Sequence, residues 1–267
     1  MLNPLTFGKY RLLSKIAAGS LGEVFRASVA EVSDSPAARP TLALKRLLPT
    51  QVGKPDITAV FEGEIEISRH LRHPRLLGAI DSGSVDGWPF LVSPLADDGS
   101  LRDLLECKGV LTPAQLSSLA TDLGEALDAM HALGYTHGDL NPGNIVYHED
   151  RAHLIDFSAG TAIAQRQIRP LGSYAYMSPE QVRGEPLDAR SDVFACAALL
   201  WQCATGVKPF ARSAQHLTFM AVVESEPPPM PEEFAALEIA LRPALAKEPA
   251  GRPTTVSELC AHFREKL

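Results

Sequence analysis

A chain of 267 residues, 45% hydrophobic and 21% charged, is long enough to bury a sizeable core as one large domain or two lobes, and its composition is neither that of a disordered segment nor that of a membrane bundle. A net charge of −7 argues against a nucleic-acid partner, which would call for a basic face. The longest apolar run, Val193 to Ala204, falls short of the roughly 20 residues that cross a bilayer, and the N-terminus has no signal-peptide pattern, so a cytoplasmic chain without membrane insertion is expected.

The first ninety residues read as strands interrupted by one helix. "YRLLSKI" and "GEVFRASVA" flank a turn holding Gly19 and Gly22, and "PTLALKRLL" is a third strand after the turn-forming loop "SDSPAARP". "DITAVFEGEIEISRHLRHP" has helical spacing and ends before Pro74, because a residue preceding proline is pushed out of the helical region. "RLLGAIDSG" and "WPFLVSPL" form a hairpin around "SVDG". Past Asp97 the pattern turns helical. Thr112, Pro113 and Gln115 make a capping box and first turn for a helix whose Leu116, Leu119, Leu123, Leu127 and Met130 share one face and which stops at Gly134. A short strand pair is expected around Ile145 and Ile155, and further helices follow, with Val193 to Ala204 as a buried core helix. The architecture is α+β: a small strand-rich N-lobe with one helix, then a larger, mostly helical C-lobe. Cys107, Cys196, Cys203 and Cys260 have no metal-ligand spacing and read as reduced thiols, mostly buried. His131, His148 and His153 read as surface polar residues.

Several residues fall out of their local pattern. The glycines of "IAAGSLGEV" suit either a tight hairpin or a backbone brought close to phosphate oxygens. Lys45 interrupts an apolar strand; its stem can be buried with the head in water, or it can pair with Glu64 of the following helix and hold its ammonium toward phosphates. "HGDLNPGN" supplies Asp139 and, five residues on, Asn144, and "LIDFS" supplies Asp156. A carboxylate to orient a hydroxyl, with an amide and a second carboxylate for Mg²⁺, is a minimal set for moving a phosphoryl group, since positioning and charge neutralisation do most of that work.

The order of glycine loop, strand lysine, helix glutamate, "HP", "HGDLNPGN", "DFS", "GSYAYMSPEQ", "SDVFACAALLWQCATGVKPF" and "KEPAGRPT", running from about Tyr10 to Leu267, resembles the protein-kinase family, especially bacterial serine/threonine kinases of the eukaryotic type. The resemblance implies a single bilobal kinase domain over 1–267, with a five-stranded N-lobe (1–94), a hinge (95–98) and a helical C-lobe (99–267). It implies ATP and Mg²⁺ as cofactors, with Mn²⁺ as an alternative ion, and a protein substrate or signalling partner. In that family Lys45 would contact the α- and β-phosphates and pair with Glu64, Asp139 would be the catalytic base, and Asn144 and Asp156 would bind the metal. Ile16, Gly19 and Gly22 fall on the glycine loop. Val24, Ala43 and Val146 match positions that sandwich adenine, Ser93 the gatekeeper, and Pro94, Leu95 and Ala96 the hinge backbone. His137 and Phe157 match a stacked spine, Glu180 and Arg252 a buried ion pair, and Asp192 the brace of the catalytic loop.

Departures cluster in the same motifs. Ala17 replaces the first loop glycine. Gly138 replaces the arginine that reads a phosphorylated activation loop, and 159–171 offers Thr161 as its only hydroxyl, so a domain not switched by that modification is expected. Asn141 stands where serine/threonine enzymes carry a lysine for the γ-phosphate; it can donate a hydrogen bond there but brings no charge. Ser158 follows Asp156 and Phe157 in place of glycine, and Ser173 matches a hydroxyl that contacts the catalytic aspartate. Three readings follow: an active serine/threonine kinase slowed by Asn141, a pseudokinase scaffold, and a small-molecule phosphotransferase, whose "HGD" loop is similar.

Overall fold

The computed structural model describes residues 5–19, 21–30, 42–157 and 173–267. The loop "SDSPAARP", Ser158, the segment 159–171 with Thr161, and the side chain of Ser173 lie outside the described residues. The chain divides into two units, Met1–Arg72 with Leu77–Ala96, and His73–Leu76 with Asp97–Leu267.

The first unit is an antiparallel sheet of six strands and one helix: β1 (Leu5–Phe7), β2 (Tyr10–Ala18), β3 (Gly22–Val29), β4 (Leu42–Leu47), α1 (Pro55–His70), β5 (Asp81–Val85) and β6 (Trp88–Pro94), in the order β1-β2-β3-β4-β6-β5. Five strands were expected; the sixth is β1, folded back by Gly8 at φ 57° so that Leu5 faces Leu12. Three residues are too few to show a period of two, which is why the sequence pattern misses it. The β5–β6 loop is Asp86–Gly87, both at positive φ, the conformation a two-residue hairpin turn requires. Strand β5 begins only at Asp81: Ala79 N turns back to Ser68 O, and Ile80 N makes the first bond to β6, at Val92 O.

Strand alternation gives this sheet two different faces. On one, Phe7, Tyr10, Leu12, Ala27, Leu44, Phe90 and Val92 form a core, over which the Arg46 guanidinium lies 4.9–5.2 Å from the rings of Phe7, Phe25 and Trp88. On the other, Leu47 and Leu91 pack against Phe61 and Ile65 of α1. Helix α1 buries Val60, Phe61, Glu64, Ile65 and Ser68 at helical spacing, so the face that meets the sheet carries one acid among apolar residues.

In the second unit the helices are α2 (Leu101–Lys108), α3 (Pro113–Ala132), α4 (Pro179–Arg183), α5 (Ala189–Thr205), α6 (Gln215–Glu224), α7 (Ala235–Ala244) and α8 (Val256–Arg264), with a two-stranded ribbon of β7 (Ile145–His148) and β8 (Arg151–Leu154). The Thr112–Gln115 capping box is formed in both directions, and Leu116, Leu119, Leu123, Leu127 and Met130 of α3 are buried. Helix α5 starts on the Asp188 cap, ends at Gly206 in the left-handed conformation, and is buried almost throughout, its apolar run following the buried, hydrogen-bonded Asp192. Short as it is, His73–Leu76 joins this unit through bonds of its own: Leu154 N donates to Arg75 O at 2.8 Å, the His153 Nδ1–H to Pro74 O at 2.9 Å, and Arg75 lies 3.3 Å from the buried carboxylate of Asp122.

Two histidines expected at the surface are not there. His153 is 8% exposed, held by Pro74, and burial lowers its pKa and keeps it neutral. The His131 ring is bonded to Asp192 at 2.8 Å with its side chain 11% exposed. Neither has a polarity signal that sequence spacing could reveal, since each partner is distant in the chain. The cysteines are all free, with Cys107 exposed and Cys196, Cys203 and Cys260 buried. Among the described residues no helix is long and apolar enough to cross a membrane.

Candidate active site

In the first unit, alternation along β4 puts Ala43, Lys45 and Leu47 on the α1 face. Cross-strand register adds Val24 opposite Lys45 and Ser93 opposite Ala43, so Val24, Ala43, Lys45 and Ser93 share one half-buried surface. Lys45 Nζ donates to Glu64 Oε1 at 2.6 Å and Oε2 at 2.8 Å. With Glu64 only 2% exposed, this is a charge-assisted bidentate pair and not a lysine snorkelling to water. Ile16 is exposed on β2, Pro94 ends β6 exposed, and Leu95 and Ala96 follow it half-buried.

The two loop glycines differ in what they are for. A Cβ at Gly22 would sit 2.6 Å from Arg46 O, so sheet pairing with β4 demands glycine there. At Gly19 the nearest atom to such a Cβ is 4.0 Å away, and its N–H closes the turn onto Gly22 O at 2.8 Å. Packing therefore explains Gly22 and leaves Gly19 to be explained by something else. Gly22→Ala is expected to lower the thermal midpoint clearly, whereas Gly19→Ala should leave it within about 1 °C, because only the former forces backbone apart; differential scanning fluorimetry of both variants checks this.

In the second unit the loop 137–144 is built around Asp192 of α5. Its Oδ2 accepts from His137 N at 2.8 Å and its Oδ1 from Gly138 N at 2.9 Å, while His131 Nε2 lies 2.8 Å from Oδ2. Burial alone raises this carboxyl, but the His131 bond and charge and the loop amides outweigh it and hold the group below the usual aspartate range. Gly138 has φ 70°, a conformation that favours glycine, and its carbonyl accepts from Gln181 Nε2 at 2.6 Å. The His137 ring donates from Nε2 to Ile155 O at 3.2 Å, accepts Asp139 N at Nδ1 at 3.3 Å, and meets Phe157 edge-on at 5.8 Å.

On that frame Asn144 Nδ2 donates to Asp139 O at 2.9 Å and Oδ2 at 3.1 Å, which joins the two residues and turns the Asn144 amide oxygen away from the aspartate. Asn141 is 3% exposed. Its Nδ2 donates to Asp139 O and its Oδ1 accepts Gly143 N, both at 2.9 Å, so it caps the short 3₁₀ turn Pro142–Asn144. Val146 lies on β7, half-buried, bridged to Ser100. Asp156 follows β8 at φ 63°, a strained setting for a non-glycine residue of the kind found at functional positions. Glu180 and Arg252 form a buried pair, 2.7 and 2.8 Å between the guanidinium nitrogens and the two carboxylate oxygens.

The donor set of this unit fits a divalent ion carried by phosphates. An amide oxygen and a carboxylate are hard ligands, and Mg²⁺ binds through one or two such groups while phosphates and water complete its shell. Sequence reasoning missed Gln181, His131 and Asp122 as parts of this frame. Gln181 was detectable as the last residue of a Ser-x-x-Gln capping box, which it forms with Ser178; Asp122, which accepts Arg151 Nε and Ala152 N at 2.9 Å each, carries no sequence signal.

The sequence profile of the protein kinase domain matches residues 10–263, so the chain belongs to the protein kinase family. It is 32% identical over 273 residues to serine/threonine-protein kinase PknD of Mycobacterium tuberculosis, covering 98% of this chain and 40% of that protein. It is 30% identical over 273 residues to serine/threonine-protein kinase PknH of Mycobacterium bovis, covering 98% and 44%. The chain thus spans less than half the length of these relatives. The crystal structure of the Mycobacterium tuberculosis PknI kinase domain superimposes with a TM-score of 0.74 at 26% identity, covering 100% of this chain and 99% of that one.

Proposed function

We propose that this chain transfers the γ-phosphoryl group of Mg²⁺-bound ATP to serine or threonine hydroxyls of a protein substrate. One observation supports the reading most: Asp139 and Asn144 are bonded side chain to side chain on a loop anchored by Asp192, so the proposed base and the proposed metal ligand are held next to each other. Asp139 accepts the proton of the attacking hydroxyl as that oxygen bonds to phosphorus and the bond to ADP breaks. Asn144 and Asp156 supply oxygen ligands to the metal, which when bound neutralises phosphate charge. Lys45, oriented by Glu64, takes the α- and β-phosphates, with Gly19 and Gly22 shaping the turn of the glycine loop beside them. Ile16, Val24, Ala43 and Val146 contact adenine, Ser93 limits the depth of its site, and the backbone of Pro94, Leu95 and Ala96 bonds its edge. Replacing Lys45 by methionine leaves the Glu64 carboxylate buried and the phosphates without their cation, and is expected to reduce transfer on the order of 10²-fold or more, read as initial rate at saturating ATP.

The loop is also proposed to be competent without activation-segment phosphorylation. Its conformation is held by Asp192 and Gln181 at Gly138, the position from which an arginine would read a phosphate. Thr161→Ala should leave the initial rate within about twofold; a phosphate at Thr161 that raises the rate severalfold would overturn this.

A nucleotide-binding scaffold is the second reading, favoured by the Asn141 amide being spent on capping its own turn. Transfer of labelled phosphate from ATP and Mg²⁺, onto the chain itself and onto a generic basic protein, decides between the two. A nucleotide-induced thermal shift with no transfer above the Asp139→Asn background would leave the scaffold.

A further inference from the structure

The catalytic loop lacks a cation at position 141, yet a guanidinium lies against it. Arg102, in the first turn of α2, has Nη2 at 3.4 Å from Asn141 Oδ1. Gly143 agrees with this placement: a Cβ added there would sit 2.2 Å from Arg102 Nη2 and 2.8 Å from its Cζ, so the end of the arginine lies in space that a side chain at 143 would enter. Glycine at 143 and arginine at 102 fit each other and bring a permanent positive charge to the loop that carries Asp139.

This placement is not accounted for by the stability of α2. A cation in the first turn opposes the helix dipole, and the capping of α2 is already provided by Ser100 and Asp103 in both directions. Asp103, the neighbouring acid that feels the Arg102 charge, is engaged in the Ser100 cap. Arg102 acts on Lys208 strongly enough to help lower the lysine pKa, second to burial, and Lys208 Nζ itself rests 5.5 Å from the Tyr176 ring centre. Two cations held within reach of each other repel, so the arrangement gains when an anion is brought to it.

We propose that Arg102 supplies the positive charge for the terminal phosphate of the nucleotide that the catalytic loop would otherwise receive from residue 141, with Gly143 making the room. The proposal rests on the kinase reading above for its catalytic consequence and on nucleotide binding alone for its electrostatic one. Arginine suits the role because its planar fork meets phosphate oxygens in pairs and never loses its charge.

The test uses wild type, Arg102→Ala, Arg102→Gln and Arg102→Lys, each checked for an unchanged thermal midpoint. Calorimetric affinities are measured for Mg²⁺ with ADP and with a non-hydrolysable ATP analogue, and kcat is measured for labelled transfer. Arg102→Ala is expected to weaken the triphosphate analogue about tenfold, leave ADP within twofold, and lower kcat on the order of 10² to 10³-fold. Arg102→Gln should match Arg102→Ala, whereas Arg102→Lys, which keeps the charge, should retain at least tenfold more kcat than either. Equal effects on ADP and the triphosphate, no effect on either, or a loss confined to the KM for protein substrate would each overturn the proposal, the last by assigning Arg102 to substrate acids. If wild type transfers no phosphate, the kinase reading fails, and the triphosphate-to-diphosphate ratio alone then decides whether Arg102 serves the nucleotide.

Discussion

Replacing Asp139 by asparagine is expected to lower phosphoryl transfer by roughly 10² to 10⁴-fold, the range ascribed to a positioned proton acceptor, with the fold intact. The size of the effect comes from the loss of basicity alone. An asparagine is nearly isosteric, and the backbone carbonyl of residue 139, which accepts both Asn141 Nδ2 and Asn144 Nδ2, is untouched by the change. The affinity for nucleotide should therefore shift little while kcat collapses, a split that separates a catalytic base from a turn residue. A variant that kept more than a tenth of the wild-type rate would remove Asp139 from the mechanism. Unlike a nearly isosteric change, removal of the Asp192 carboxylate should lower both rate and stability, because the amides of His137 and Gly138 would lose their buried acceptor.

The largest effect on stability is expected at Arg252. Its guanidinium is fully buried beside Glu180, donating also to the carbonyls of Arg190, Ala246 and Lys247 at 2.8–3.0 Å. Arg252→Ala would strand both the Glu180 charge and three carbonyls. Breaking a buried pair by deleting one partner costs about 3–5 kcal/mol, and in a unit of this size that corresponds to a fall in midpoint of roughly 6–20 °C, measurable by urea or thermal unfolding. The pair also fixes an acid-side sensitivity. Burial raises the Glu180 carboxyl, but hydrogen bonds from Arg252 and Ser191 outweigh it and hold it below its ordinary value of 4.5. A carboxyl depressed in the folded state contributes stability above its unfolded pKa and loses that contribution as pH falls through the folded value. Wild-type stability should therefore drop steeply below pH 4.5, and the slope should be shallower in Glu180→Gln.

Much of the site was legible because its chemistry departs from local pattern. Lys45 in an apolar strand, Glu64 on an apolar helix face, and the Asp139–Asn144 interval were each anomalies that sequence could register, and the first pair was found bonded as expected. The Thr112 capping box and the apolar run Val193–Ala204 of α5 were readable for the same reason, since caps and runs of apolar residues are local. The misses have a common cause. Strand β1 was too short to show alternation, His131 and His153 are buried by partners 61 and 79 residues away, and the difference between Gly19 and Gly22 depends on where β4 passes.

The sequence by itself determined the class of fold and the order of the motifs, and it singled out the groups proposed to hold a phosphate, a metal and a proton, because residue type and short-range spacing encode those. Only the tertiary structure decided what each group is tied to. It turned Asn141 inward as a cap, set Gln181 and Asp192 against Gly138, and laid Arg102 over Gly143. Such contacts join residues tens of positions apart, and side-chain direction at that range follows from how helices and strands pack, which no local pattern records.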